Sequence, residues 1–446
     1  MAGPRRVLSL IAGAAIFVSA CGGGSSPAPS TGGGASAPAS AGGGASAPAS
    51  GGASGATITV TSLWGGSEEA AFRKVLDAFK AATGITATYQ AQRTDYATVL
   101  QSKITGGNPP DVAIMPGLGF LRQFARSGGI QKIADLGIDP ASLEANYPPG
   151  LLDPGKVDGD LFGIMVKFNS KSTFWYRPDK VQTTPETWDD LKSTLDQQSS
   201  GGTKPLAVGA KDSWTLTDWF EEIYLRQNGV DAYNKLFSKD GDWTDGTAKT
   251  AIQKMLEVVN DKYVTGGVKG ALGTGFNDAI AEIYGTNPKS TLFYEGGFVG
   301  GLATGANKDL KLGTDADWFD FPSLGGSGDG AAEIGGDEIA ALTTKPGVKE
   351  FIQYMTQPDS GTTWAKTGAI ISPIKAVGQD AYPNDLAKKE AAQVAGASGV
   401  VYDGSDTLPA ASPDMGAMLQ NAVQGQDLDK LLSDFNNGVK SAWASE

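Results

Sequence analysis

Residues 57–115 read TITVTSLWGGSEEAAFRKVLDAFKAATGITATYQAQRTDYATVLQSKITGGNPPDVAIM, and the periods within this stretch decide the fold. Thr57 to Leu63 is a short β-rich run. Behind it Ser67 stands where a helix cap is expected, with Glu68 and Glu69 in the first turn, where acids suit the helix dipole. Phe72, Val75, Leu76 and Phe79 recur at i, i+3, i+4 and i+7, and Gly84 follows as a stop. Ile85 to Tyr89 reads as a second strand. Asp95 is placed to cap a helix carrying Tyr96, Val99, Leu100 and Ile104, ended by Gly106-Gly107, and Asp111 to Met115 reads as a third strand. Such alternation predicts a mostly parallel sheet with helices on both faces.

The same texture continues outward. Thr184-Pro185-Glu186 opens a helix with proline at its first position. Leu206 to Val208 reads as a strand of a second sheet, followed by helices carrying Trp219, Phe220, Ile223 and Tyr224, then Ile252, Met255, Leu256 and Val259. Thr291 to Tyr294 is a further strand. A last helix from Asp427 spaces Leu428, Leu431, Leu432, Phe435, Val439 and Trp443 along one stripe that packs on the body. From residue 57 onward the chain runs about 390 residues, more than one core holds, so two α/β lobes are expected.

Residues 1–20 have a signal-peptide layout, with Arg5 and Arg6, an apolar stretch from Val7 to Val18, then Ser19 and Ala20. The stretch is too short for a stable transmembrane anchor. Val18-Ser19-Ala20-Cys21 resembles the bacterial lipobox, which implies acylation of Cys21, the only cysteine in the chain. Gly22 to Ala56 is almost wholly Gly, Ser, Ala, Pro and Thr and cannot bury apolar surface. Such a coil reaches roughly 30 to 35 Å end to end, a tether for a body held at a membrane.

Composition excludes several chemistries. Among 446 residues there is no histidine, which removes Ser-His-Asp and Cys-His nucleophilic sites and His-ligated metal centres. One cysteine permits neither an internal disulfide nor a Cys-rich metal site. With 36 basic against 49 acidic residues and a formal charge of −13, the chain lacks the basic surface that nucleic acid requires. No glycine-rich loop has nucleotide-cradle spacing, and the Asp240–Gly246 loop lacks the alternating ligands of a calcium loop, so no cofactor and no metal are expected.

The strand ending in Trp64, the Asn108-Pro109-Pro110-Asp111-Val112 run, Thr184 to Leu191, the Tyr294-Glu295-Gly296-Gly297-Phe298 turn, and Trp364 leading to Gly368-Ala369-Ile370-Ile371-Ser372-Pro373 resemble the carbohydrate-binding members of the extracellular solute-binding proteins of ABC importers. The resemblance implies a two-lobe, type II periplasmic-binding-protein-like fold, each lobe a sheet flanked by helices and joined by hinge crossovers. It implies a carbohydrate ligand, an oligosaccharide such as an α-glucoside, held between the lobes and delivered to ABC permease subunits outside the cytoplasm. The expected organisation is a signal peptide at 1–20, the lipidated cysteine and tether at 21–56, an N-terminal lobe of 57–168 plus 325–357, and a C-terminal lobe of 169–324 plus 358–446. A monomer is expected.

A sugar presents hydroxyls that need hydrogen bonds and C–H patches that pack on aromatic faces, so a binding cleft wants Trp and Tyr beside acids in loops at strand ends. On that ground the candidates are Trp64, Glu69, Asp111, Trp214, Trp219, Glu295, Phe298, Asp337 and Trp364. Each has a packing alternative: Trp219 shares an amphipathic helix with Phe220 and Ile223, and Asp111 follows two prolines where a turn cap serves equally. The competing function is a secreted glycoside hydrolase, for which a carboxylate pair such as Glu69 and Glu295 suffices. A peptide or polyol receptor on the same scaffold is the third.

Overall fold

The computed structural model describes residues 53–148 and 150–446; the expected signal segment, Cys21 and nearly all of the tether lie outside the described residues. The strands are β1 (Thr57–Ser62), β2 (Thr86–Ala91), β3 (Val112–Met115), β4 (Lys156–Val157), β5 (Asp160–Leu161), β6 (Gly163–Ser170), β7 (Thr173–Tyr176), β8 (Leu206–Ala207), β9 (Leu292–Tyr294), β10 (Asp317–Asp320), β11 (Ala332–Ala341) and β12 (Val400–Tyr402). One sheet runs β12-β11-β3-β1-β2 with β6 also on β11, a second runs β10-β7-β9-β8, and β4 and β5 form a small hairpin.

The sheets are layered because strand side chains alternate. Val112 and Ile114 of β3 and Ile339 and Ala341 of β11 enter one core, with Phe72, Phe79 and Phe351. Their neighbours Ala113, Met115, Ala340 and Leu342 enter another, with Leu121 and Phe124. In the second sheet Phe174, Leu292 and Tyr294 face one cluster while Trp175 and Phe293 face the other. Both sheets are therefore covered on both faces, as the near-continuous apolar strands require.

The chain crosses between the sheets at two places along these strands. β6 belongs to the first sheet and β7 to the second, so residues 171–172 cross; β10 belongs to the second and β11 to the first, so 321–331 return. β6 pairs antiparallel along one edge of β11, from Gly163 to Ser170. The other edge is shared, β12 pairing parallel with Ala332–Ile334 and β3 antiparallel with Glu338–Ala341.

Several local expectations differ from the structure. Ser67 is the first residue of its helix, Ser67–Thr83, and Gly66 holds the cap position with no side chain to bond the free N–H groups. Asp95 precedes its helix in a left-handed conformation, φ 50°, and makes no cap bond. Pro185 lies before its helix: Trp188–Ser199 is capped by Thr187, which with Asp190 forms a reciprocal capping box. The long helix Trp214–Leu236 is interrupted at Gly229, φ 84°. Residues 358–374, expected with the second lobe, contribute Trp364, Ile370 and Ile374 to the first lobe's cluster. The last helix, Leu428–Ser445, is capped by Asp427 and buries Leu432, Phe435 and Val439 against the second lobe.

Trp364 is 2% exposed and packs edge-on to Trp64 at 5.2 Å between ring centres. Trp364→Ala is expected to cost about 3–5 kcal/mol of stability, read by denaturant unfolding. Glu338 of β11 is fully buried, neither carboxyl oxygen has a hydrogen-bond partner among the described residues, and burial with the nearby Asp337 charge pushes its pKa up to about 8. The folded chain therefore keeps a proton that the unfolded chain releases above the ordinary value of 4.5, and stability falls as pH rises through this window. The thermal midpoint of Glu338→Gln should gain on that of the unsubstituted chain from pH 5 to pH 8 and run parallel above it. Equal slopes throughout would reject this reading.

Candidate functional site

The loop after β1, Trp64 to Ser67, sits at the carboxyl end of the parallel strands, where open α/β sheets form ligand crevices. A cavity of about 750 Å³ opens there. Its first wall is Gly65, Gly66 and the helix face Ser67, Ala70, Ala71 and Lys74, spaced i, i+3, i+4, i+7; Arg93 and Gly368 close that side. Its second wall comes from the other lobe: Asn277 and Ile280, Phe298, and the helix Val299–Ala306, where Gly301 and Gly305 have open space in front of their α-carbons. The volume lies within the 300–1,000 Å³ typical of small-molecule sites.

A second recess of about 380 Å³ is lined by Gly117, Phe120, Trp214, Thr217, Ser405 and Asp406, among others. Trp214 begins the helix Trp214–Leu236 and is 38% exposed. Its ring lies 4.8 Å from Phe276 and 6.3 Å from Phe298, which lines the larger cavity. The Lys171 ammonium stands 5.3 Å from the Trp214 ring centre and 5.9 Å from that of Phe298. Trp214, Phe298 and Lys171 thus form an aromatic and cationic group between the two openings.

Below it the interior is full of charge. Lys171, at the crossover, donates to Asp218 at 2.7 and 2.8 Å and to Asp403 at 3.0 Å. Burial would pull its pKa down, but the flanking carboxylates outweigh burial and hold it well above the ordinary lysine value. Burial and the neighbouring Asp403 charge push Asp218 up to about 6 in spite of Lys171. Glu295 is 1% exposed, and burial together with the Asp218 charge raises its carboxyl well above the usual range. Glu333 is fully buried with both oxygens unpartnered among the described residues, and is raised likewise by burial and Glu221. Asp218, Glu333 and Asp403 bring oxygens within 4.8 Å of one another, but the Lys171 ammonium already contacts two of the three.

A parallel group lies in the first lobe. Lys167 is ion-paired with Asp337 at 2.8 Å and reaches Glu68 at 3.6 Å, with its ammonium 5.2 Å from the Trp64 ring centre. Burial raises Glu68, opposed by Lys167.

The nine residues expected at a ligand divide accordingly. Trp214 and Phe298 meet at the openings, and Glu295 lies beneath them. Asp337 and Trp64 are buried in the Lys167 group, Trp64 at 1% exposure. Trp364 and Trp219 are core residues, Trp219 packed on Phe174, Tyr294 and Phe321. Glu69 is held by Arg73 at 2.6 Å on the helix surface. Asp111 lies at the amino end of β3, away from the crevice, accepting from Thr59 N and Oγ1 and Thr343 Oγ1 and pairing with Lys345 at 2.8 Å. Sequence reasoning missed Lys167, Lys171, Asp218, Asp403 and Arg93. The available signal was charge inside apolar runs, Lys167 and Lys171 in GIMVKFNSKSTFWY and Asp218 in WTLTDWF.

Residues 65–362 match the model of the family described as bacterial extracellular solute-binding protein. The chain is 27% identical over 409 residues to the alpha-glucosides-binding periplasmic protein AglE of Rhizobium meliloti (strain 1021), covering 88% of each. It is 26% identical to the osmoprotective compounds-binding protein GgtB of Synechocystis sp. (strain ATCC 27184 / PCC 6803 / Kazusa), over 79% of this chain and 85% of that one. The solved structure of a chitin oligosaccharide binding protein superposes with a TM-score of 0.74 at 18% identity, covering 87% of this chain and 99% of that one, which establishes the shared two-lobe fold. With its sheets, crossovers and cleft, the chain belongs to the bacterial extracellular solute-binding protein family.

Proposed function

We propose that this chain captures a sugar between its lobes and presents it to the permease of an ABC importer. The observation that carries this reading is the Trp214 and Phe298 pair beside Lys171 between two interlobe openings. Aromatic faces take the C–H side of a pyranose while charged and hydroxyl groups nearby take its hydroxyls. The names of the relatives support an oligosaccharide, with an α-glucoside as the first ligand to try. Ligand bridging both walls would favour the closed arrangement, and the closed form is what a permease would recognise.

The chain is read as a receptor and not a hydrolase. Of the carboxylates first paired for catalysis, Glu69 is engaged by Arg73 and Glu295 is enclosed beneath the cleft. Lipid on Cys21 and the tether would hold a monomeric body at the outer face of the membrane.

Thermal shift and calorimetry against mono- and oligosaccharides test the reading: one-to-one binding with a raised melting midpoint and no turnover is expected. Because Trp214 is partly exposed, Trp214→Ala should leave the unliganded midpoint within a few degrees and lower sugar affinity about tenfold or more. Unchanged affinity, or release of hydrolysed product, would overturn it. Cys21→Ala should abolish acyl labelling and free the protein from the membrane fraction.

A further inference from the structure

We infer that the sugar taken up carries an anionic group, a carboxylate or a phosphate, held at the Arg93 end of the larger cavity. This deepens the proposed function and rests on it.

Four charged residues line that cavity: Glu68, Lys74, Arg93 and Lys308. The chain as a whole is acidic, yet three of the four are cations. Their commitments differ more than their number. Glu68 is turned to Lys167 at 3.6 Å, and the next acid on that helix, Glu69, is taken by Arg73 at 2.6 Å. Lys74, Arg93 and Lys308 have no carboxylate within ion-pair distance among the described residues. The buried cations Lys171, Lys167 and Arg226 are by contrast each paired with a carboxylate. Arg93 is near enough to Glu68 for its charge to be felt there, but Glu68 is one acid among three lining cations, so the lining keeps positive charge for something that enters it.

The geometry suits a ligand with one charged end. Arg93 lies along the loop backbone at Gly65, where a Cβ would meet its Cδ at 2.8 Å and its Nε at 2.9 Å, so the absence of a side chain at Gly65 gives the guanidinium its place. Lys74 projects from the first wall, and Lys308 follows the helix Val299–Ala306 on the second. An anion between them would draw the lobes together. The uncapped helix start at Gly66 and Ser67 faces the same space and adds donors to it, although it would not make a site alone. Phe298 lines the cavity at its other side, toward Trp214, and offers a face for the sugar ring. Arg forms paired bonds to carboxylate and phosphate oxygens, whereas a neutral hydroxyl leaves its charge unmatched.

The test compares matched ligands by calorimetry: glucose, glucuronate and glucose 6-phosphate, and a neutral α-glucosyl disaccharide against the same disaccharide with a uronate ring. An anionic member should bind about tenfold or more tighter than its neutral partner. The advantage should shrink as salt rises from about 20 mM to about 500 mM, since the cations are exposed. The double variant Arg93→Gln, Lys308→Gln should lose the preference, the anionic ligand losing about tenfold or more beyond whatever its neutral partner loses, while the unliganded melting midpoint stays within a few degrees, a split that general misfolding would not produce. Glucuronate against glucose 6-phosphate decides which anion is meant, and inorganic phosphate alone should bind weakly. Neutral sugars binding as well as their anionic partners, or a preference that survives in the double variant, would overturn the inference and leave the receptor reading intact. No binding by any saccharide would remove both.

Discussion

The Lys171 ammonium is the contact on which the arrangement of the two lobes turns. It sits where β6 leaves the first sheet for β7, and it binds Asp218 from the second lobe's long helix and Asp403 at the end of β12. The backbone around it is joined too: Lys171 N donates to Glu333 O at 2.8 Å, Glu333 N to Ser172 Oγ at 3.0 Å, and Asp403 N to Ile334 O at 2.9 Å. A buried ion pair gives little net stability over an apolar filling, because desolvation offsets most of the attraction. Its effect is on geometry. Removing one partner strands the other's charge, so the crossing segments hold one register relative to the helix that carries Trp214.

That economy of position connects fold to site. The ammonium that joins the crossovers also stands beside the Trp214 and Phe298 rings, so a shift of the strands is felt at the aromatic pair. The acids around it far outnumber the cations, and burial raises Glu221, Glu295 and Glu333 well above ordinary carboxyl values. Burial thus favours the protonated form of these groups, which can donate as well as accept. Glu221 illustrates a filled position, accepting from Tyr233 OH at 2.8 Å and Ser405 N at 3.1 Å, whereas neither carboxyl oxygen of Glu333 has a partner among the described residues.

Period and punctuation made the architecture readable. The alternation from Thr57 to Met115, the apolar stripe of the last helix and the Asp427 cap are local properties, and β1, β2, β3 and the helix Leu428–Ser445 fall where those properties put them. The site was less legible because the choice between core and cleft for an aromatic residue is made by distant chain. Trp364 is enclosed by Trp64 and Phe72, some three hundred residues away, while Trp214 packs on Phe276 and Phe298 and stays 38% exposed. Asp111 belongs to the same class: its neighbours in sequence suggest a loop acid near a ligand, but its direction along a parallel strand puts it at the end opposite the crevice.

Direction of charge separates the cleft from the surface that surrounds it. An acidic surface repels anions at long range, but in physiological salt that field decays over about 8 Å, so what a ligand meets inside the cavity is the local set of groups. There the balance is reversed, because Lys74, Arg93 and Lys308 line the cavity against one acid, Glu68, which shares Lys167 with Asp337. The outer field would slow an anionic ligand's approach without weakening the bound state, since a barrier to entry is equally a barrier crossed on leaving. Small residues complete the arrangement: with glycine at 301 and 305 facing alanine at 70 and 71, the walls leave room for a ring between cations on opposite lobes. A bulkier helix face would close that gap and leave Arg93 and Lys308 facing solvent only.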